Sequence, residues 1–332
     1  MTEAAGADTR GVAGVGMTAL LVAAARAIET NRPDALARDE YAAHFVRAVP
    51  ACAGWPLRPE EVPNGDGDPL WGRLGRFFGL RTRVFDDFLL HAAGTGGRQV
   101  VLLGAGLDTR AHRLPWPDGC TVFEVDQPEV LAFKQSALDD VGGLSALDGR
   151  DALGRRGDSS RAERVVVSAD LRDDWTAGLV AAGFDPELPT AWLAEGLVPY
   201  LPPAAELDLI GTIHAYSRPG SMLAYEIKQG VNPLWQRDFP VYAAVRERLG
   251  IDLLALFSPE PRPDSAGDLA GRGWSTAVRT PFHFTRRHGR GPLPAPDDAL
   301  AANRWVFAAL GTKLPDDHGP GPVPHGAVSG SA

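Results

Sequence analysis

Cysteine is nearly absent from this chain. Cys52 and Cys120 are the only two in 332 residues, too few for a disulfide framework or a thiolate zinc cluster. That usage fits a reducing, cytoplasmic setting, and no metal site is expected. Long apolar runs are missing too. None reaches the ~20 residues that a bilayer-spanning helix needs, so no membrane partner is expected. The apolar piece Met17–Ala25 is short, follows Glu3 and Asp8, and is closed by Arg26; it reads as a helix rather than a signal peptide. Basic excess is the third absence. Lys and Arg number 33 against 42 Asp and Glu, a formal net charge of -9. That balance argues against a phosphate-backbone binder, so no nucleic-acid partner is expected.

What is present suffices for a large core: 44% of the residues are hydrophobic. Residues 1–15 are Gly- and Ala-rich and are expected to be disordered. Residues 16–96 read as an N-terminal helical cap. Within it lie helices over Thr18–Ala27, Pro33–Val49 and Leu74–His91, and a Pro/Gly-rich loop over 53–69. From 97 to 314 apolar runs alternate with helical pieces. Strands are expected at Gln99–Leu103, Thr121–Val125, Arg164–Ser168, Thr190–Ala194 and Met222–Ile227. Helical or loop pieces at Asp108–Leu114, Pro128–Leu138, Asp174–Ala182 and Pro203–Ser217 separate them. Such alternation predicts an α/β fold with a doubly wound, mostly parallel sheet. Residues 139–163 read as an exposed excursion. Beyond 228 the pattern weakens: a helix at Phe239–Leu249, a loop over 258–268, and late strands at Trp274–Val278 and Trp305–Leu310. Residues 315–332 read as a disordered tail.

The chemistry concentrates at strand ends. The run Gln99–Leu103 closes on Gly104-Ala105-Gly106, whose glycines let a backbone approach a ligand closely. About twenty residues on, a second run ends in Glu124-Val125-Asp126, the spacing of a ribose-binding acid. Asp126 can accept both ribose hydroxyls. Glu124 shares its strand face and is the other candidate, but Asp126 lies nearer the carboxyl end. The third glycine of a dinucleotide fingerprint is missing, with Thr109 in its place. That shifts the expected ligand from a dinucleotide to a mononucleoside without a pyrophosphate. Asp170 suits an adenine amino group with Leu171 beside the ring; Asp170 could equally cap the next helix, and the two roles are compatible. Glu195 ends an apolar run, where a buried carboxylate needs a cationic partner. Tyr200 faces either the same crevice or the core. Arg81 offers a fork for a carboxylate, whereas Arg83 reads as a solvated helix edge. His112 is expected on a helix surface and His214 in a structural role, so no catalytic residue is assigned.

Taken in order, Gly104–Arg110, Glu124–Pro128, Ala169–Leu171 and Ala194–Leu197 resemble the leucine carboxyl methyltransferase-like branch of class I S-adenosylmethionine-dependent methyltransferases. Within that branch the resemblance is to the actinobacterial group of O-methyltransferases. Thr18–Ala23 and Arg81–Asp87 resemble that group too, so the similarity runs from about Thr18 to Leu310. It implies a Rossmann-like fold and S-adenosylmethionine as cofactor, with S-adenosylhomocysteine as product. It further implies that Gly104 approaches the methionine part, Asp126 binds the ribose, and Asp170 and Leu171 bind the adenine. Glu195 would lie near the amino-acid end, whose carboxylate Arg81 would pair. Two departures stand out. Asp39 is followed by Glu40 where a proline is expected, and Val198-Pro199 stand where two large apolar residues are expected.

The expected acceptor is a small molecule methylated on a carboxylate or hydroxyl oxygen. Carboxyl methylation of a protein C-terminus is the alternative within the family. From other classes come a nicotinamide-dependent oxidoreductase, which predicts the missing third glycine, and a non-catalytic cofactor-binding protein.

Overall fold

The computed structural model describes residues 15–145, 162–230 and 233–314. The disorder expected for residues 1–14 and 315–332, and most of the 139–163 excursion, lie outside the described residues.

Seven strands form one sheet. They are β1 (Gln99–Leu103), β2 (Cys120–Asp126), β3 (Ala162–Ser168), β4 (Thr190–Ala194), β5 (Met222–Lys228), β6 (Trp274–Arg279) and β7 (Asn303–Leu310). Their order is β3-β2-β1-β4-β5-β7-β6. β1 to β5 run parallel, and β7 is antiparallel to both β5 and β6. The chain moves outward from β1 through β3, then returns to place β4 against the other side of β1. This reversal opens a crevice at the carboxyl ends of β1 and β4. The fold is thus the expected Rossmann-like, doubly wound sheet.

The helices are α1 (Val15–Thr30), α2 (Ala42–Arg47), α3 (Gly75–Gly94), α4 (Arg110–Arg113), α5 (Pro128–Ser145), α6 (Thr176–Ala181) and α7 (Pro203–Ala215). Beyond β5 follow α8 (Pro233–Gln236), α9 (Pro240–Leu249), α10 (Leu253–Leu256), α11 (Ser265–Gly271) and α12 (Pro281–His288). None of the described helices is long and apolar enough to cross a membrane.

β1 shows why its sequence is apolar throughout. Val100 and Leu102 enter one core with Leu20, Phe85, Leu89 and Trp305. Val101 and Leu103 enter another with Phe123, Trp192, Leu223 and Tyr225. A strand covered on both faces has no solvent side, so the period-2 signal vanishes. The first core joins α1 and α3 to one face of the sheet, so these helices pack on the sheet itself.

Several expectations are corrected. The helix expected over Pro33–Val49 shrinks to α2. Side-chain oxygens capture backbone groups that a helix would have used: Leu36 N–H donates to Glu29 Oε1 (2.7 Å) and Asp39 N–H to Thr30 Oγ1 (2.7 Å). The 258–268 loop ends early, because Asp264 accepts from Gly267 N–H (2.9 Å) and starts α11. Arg83 is no solvated edge; it is buried and paired with Asp87 at 2.9 Å. His112 is half-buried with its ring 5.5 Å from that of Tyr41. His214 is structural as expected, accepting from Trp274 Nε1 at 3.1 Å.

Candidate functional site

A cavity of about 700 Å³ opens over the carboxyl ends of the parallel strands. Arg81, Gly104, Asp126, Asp170, Leu171, Glu195 and Tyr200 all line it. Strand order explains the convergence. Gly104, Asp126, Asp170 and Glu195 follow or end β1, β2, β3 and β4, four neighbours in the sheet.

The turn after β1 is fixed by β2. The N–H groups of Gly104 and Ala105 donate to Val125 O (2.9 and 3.1 Å), and Gly106 N–H donates to Asp126 Oδ2 (2.6 Å). Gly104 has φ +64°, and a Cβ there would stand 3.3 Å from Leu197 Cδ1. Glycine is therefore required by conformation and by space. Burial raises the Asp126 pKa, against the hydrogen bonds from Gly106 and Gln127 that lower it. The two acids of β2 differ in position, and Asp126 lines the cavity. Glu124 is fully buried, held by Lys134 (2.7 Å) and Arg164 (2.8 Å), and does not line the cavity. Asp170 stands next to Asp126, after the neighbouring strand β3, and accepts from Gln127 Nε2 at 3.4 Å. It accepts from the Arg172 backbone (2.9 Å) and side chain, which bring its pKa down to about 2. The helix-capping role weighed for it is not borne out: Asp170 closes a turn, and Asp174 accepts from Thr176 N–H (3.2 Å) at the start of α6.

In the cavity floor and beneath it lies a buried ion network that sequence reading missed in large part. Arg81 Nε meets Glu195 Oε1 at 2.9 Å and its Nη1 meets Glu226 Oε2 at 2.7 Å. Arg110 contacts Glu195 (2.7 Å), Asp86 (2.7 Å) and Asp108, and Arg113 contacts Asp86 at 2.6 Å. Burial alone would raise the pKa of Asp86, Asp108 and Glu195. The guanidiniums override it and hold all three below the usual range, Asp108 at about 2. Three guanidiniums thus stand among four carboxylates. Arg26 adds its charge to Asp108 and Glu195, and Lys134 to Asp108.

The other end of the cavity is aromatic. The turn Val198–Tyr200 brings the Tyr200 ring to 5.4 Å from that of Phe257, nearly parallel. Arg262 braces this corner by donating to the carbonyls of Val198 (3.1 Å), Pro199 (2.8 Å) and Leu201 (2.9 Å). Here the Val198-Pro199 departure has its structural meaning: a tight corner tied to the late part of the chain. Burial, then the Glu226 carboxylate, raises the Tyr200 pKa to about 12. Glu226, Lys228, Tyr242 and Phe257 line this end and were not foreseen. Glu226 and Lys228 end a recognised strand, so the rule that found Glu195 could have found them. Tyr242 and Phe257 carry no such signal. Among the described residues, no group of three His, Cys, Asp or Glu is placed to hold a metal ion.

Known proteins share this construction. Residues 19–214 match the model of the leucine carboxyl methyltransferase family. A Streptomyces coelicolor protein, assigned by name to the S-adenosyl-L-methionine-dependent methyltransferases, is 58% identical over 309 residues. The alignment covers 92% of this chain and 97% of that one. Proteins assigned by the same name from Saccharopolyspora erythraea and Mycobacteroides abscessus are 46% and 42% identical. These cover 79% and 90% of this chain and 84% and 93% of their own lengths. The matched span carries β1 to β4 with Gly104, Asp126, Asp170 and Glu195, and Glu226 and Lys228 of β5 lie beyond it. On that match and those identities, the chain belongs to the leucine carboxyl methyltransferase family and is an S-adenosylmethionine-dependent methyltransferase.

Proposed function

We propose that this enzyme transfers the methyl group of S-adenosylmethionine to a carboxylate or hydroxyl oxygen of a small-molecule acceptor in the cytoplasm. The reading rests above all on the cavity, which gathers the ribose-type acid, the glycine turn and the ion network in one space. The residues fit the cofactor. Asp126 keeps lone pairs for the ribose hydroxyls while it holds Gly106. The bare Gly104 gives the methionine chain its closest approach. Asp170 and Leu171 receive the adenine. Glu195 faces the ammonium, and Arg81 the carboxylate. When bound, the cofactor supplies an already activated methyl group, so the protein's share of the work is alignment and exclusion of water.

The acceptor end supports oxygen as the target. Among the described residues no histidine lines the cavity, and Tyr200 keeps its proton at neutral pH. Tyr200 thus does not act as a base. A carboxylate needs no base, and a hydroxyl would need its own acidity. No metal, nucleic acid or membrane enters this reading.

Calorimetric titration with S-adenosylmethionine, S-adenosylhomocysteine, NAD and NADP tests the cofactor. Binding of the first two alone is expected. Binding of the nicotinamide cofactors alone, or of none of the four, contradicts the assignment.

A further inference from the structure

We propose that Lys228 is the anion anchor of the acceptor subsite, so that the acceptor is an organic anion with a flat apolar body; this rests on the cofactor reading above. Four cationic side chains line the cavity: Arg26, Arg81, Arg172 and Lys228. Three of them are committed. Arg26 pairs with Asp39 at 3.2 Å, Arg81 with Glu195 and Glu226, and Arg172 with Asp170. Lys228 has no carboxylate partner among the described residues.

Its surroundings make that exception costly. Lys228 is half-buried at the end of β5. Its ammonium lies 5.0 Å from the ring centre of Phe257 and 5.9 Å from that of Tyr242. Among the described residues its one hydrogen bond, to Tyr242 Oη, is long at 3.5 Å. Aromatic faces offset part of the desolvation of a cation, yet they leave N–H donors unsatisfied. An anion seated there would satisfy the donors and offset the charge.

Position completes the argument. Lys228 stands two residues beyond Glu226 on the same face of β5, one step past the ion network. It therefore belongs to the part of the cavity that the network leaves open. Phe257 is shared between Lys228 and Tyr200, which stacks on it at 29°. A flat body against these rings places its anionic group at the ammonium. An amine acceptor would meet repulsion at the same point.

The test uses the full-length protein loaded with S-adenosylhomocysteine. Matched panels of aryl carboxylates, aryl phosphate monoesters and the corresponding neutral amides are screened by thermal shift, and binders are titrated. Anions of one panel should bind while their amides do not, and the panel that binds distinguishes carboxylate from phosphate. Lys228→Met should weaken those anions by about tenfold or more, the scale of one charged hydrogen bond. Lys228→Arg should retain most of the affinity, and both variants should bind S-adenosylhomocysteine like the wild type. The proposal is overturned if amides bind as well as acids, if no anion binds the loaded protein, or if Lys228→Met leaves anion affinity intact. The wild-type panels decide even if Lys228→Met does not fold. Failure of the wild type to bind S-adenosylhomocysteine would overturn the cofactor reading itself, an outcome separate from all of these.

Discussion

At one end of the cavity, charge is saturated: Arg81, Arg110 and Arg113 are locked among four carboxylates, nearly all of it buried. At the other end, beside Glu226, one lysine rests on aromatic rings and has no carboxylate partner among the described residues. The first end is a fixed lattice, costly to disturb and complementary to one charged ligand. The second is a sparse, mainly apolar wall whose few polar groups can select an acceptor. The family match, residues 19–214, carries most of the first end and stops before β5, α9 and α10, which add Glu226 to the first and supply most of the second.

The sharpest way to break this contrast is Arg110→Met. Arg110 is fully buried against Asp86, Asp108 and Glu195. Removing it strands those carboxylates, and stability should fall by about 3–5 kcal/mol in urea unfolding. A loss under about 1 kcal/mol would mean that the network does not hold this end together. Acid should have the same target. Asp86, Asp108 and Glu195 have folded pKa values below their unfolded ones. Their contribution is therefore complete above about pH 4, the unfolded range, and is lost as pH falls through the folded values. For Asp108 that loss extends down to about pH 2. Urea midpoints measured from pH 5 downward should show this decline, and Arg110→Met should flatten it.

Next in size is Asp126→Ala, which should weaken S-adenosylhomocysteine binding by about 2–3 kcal/mol, two hydrogen bonds to a charged acceptor. The unfolding midpoint should move little, because Asp126 is only half-buried at the cavity rim. Unchanged affinity would falsify the ribose assignment. Burial raises the pKa of Asp126, so in the wild type cofactor affinity should decline on acidification before an ordinary aspartate would titrate. Asp126→Asn should remove that pH dependence.

The same division governs what the sequence made legible. Gly104, Asp126, Asp170 and Glu195 each lie within a few residues of an apolar run, so a strand-end rule finds them without tertiary information. The partners beneath the floor are different. Asp86 is on α3 and Arg110 on α4, and their 2.7 Å contact exists only because the sheet brings those helices together. Arg83 reads as a solvated edge on its own helix, yet the 31–41 segment covers it, and Arg83 reaches Leu36 O. Tyr242 and Phe257 come from segments where periodicity fades, and nothing local marks them as cavity residues. Glu226 is the intermediate case: an acid inside a recognised strand, overlooked because its partner, Arg81, lies 145 residues away.

The smallest expected effect sharpens the acceptor end. Tyr200 stacks on Phe257, shares a hydrogen bond with the Thr18 side chain, and has its pKa pushed up to about 12. Its ring shapes the wall, and its hydroxyl takes part in one neutral hydrogen bond. Tyr200→Phe keeps the ring and deletes that bond, so kcat/KM for an accepted substrate should fall by about two- to tenfold, the range of a single neutral hydrogen bond. The alkaline side of the pH–rate profile should stay where it is, since a group titrating near 12 is protonated throughout the working range. A larger loss accompanied by disappearance of a pH-dependent limb would make Tyr200 the base. The acceptor would then be a hydroxyl needing deprotonation in the cavity, and the aromatic end would be a second site of proton chemistry rather than a wall.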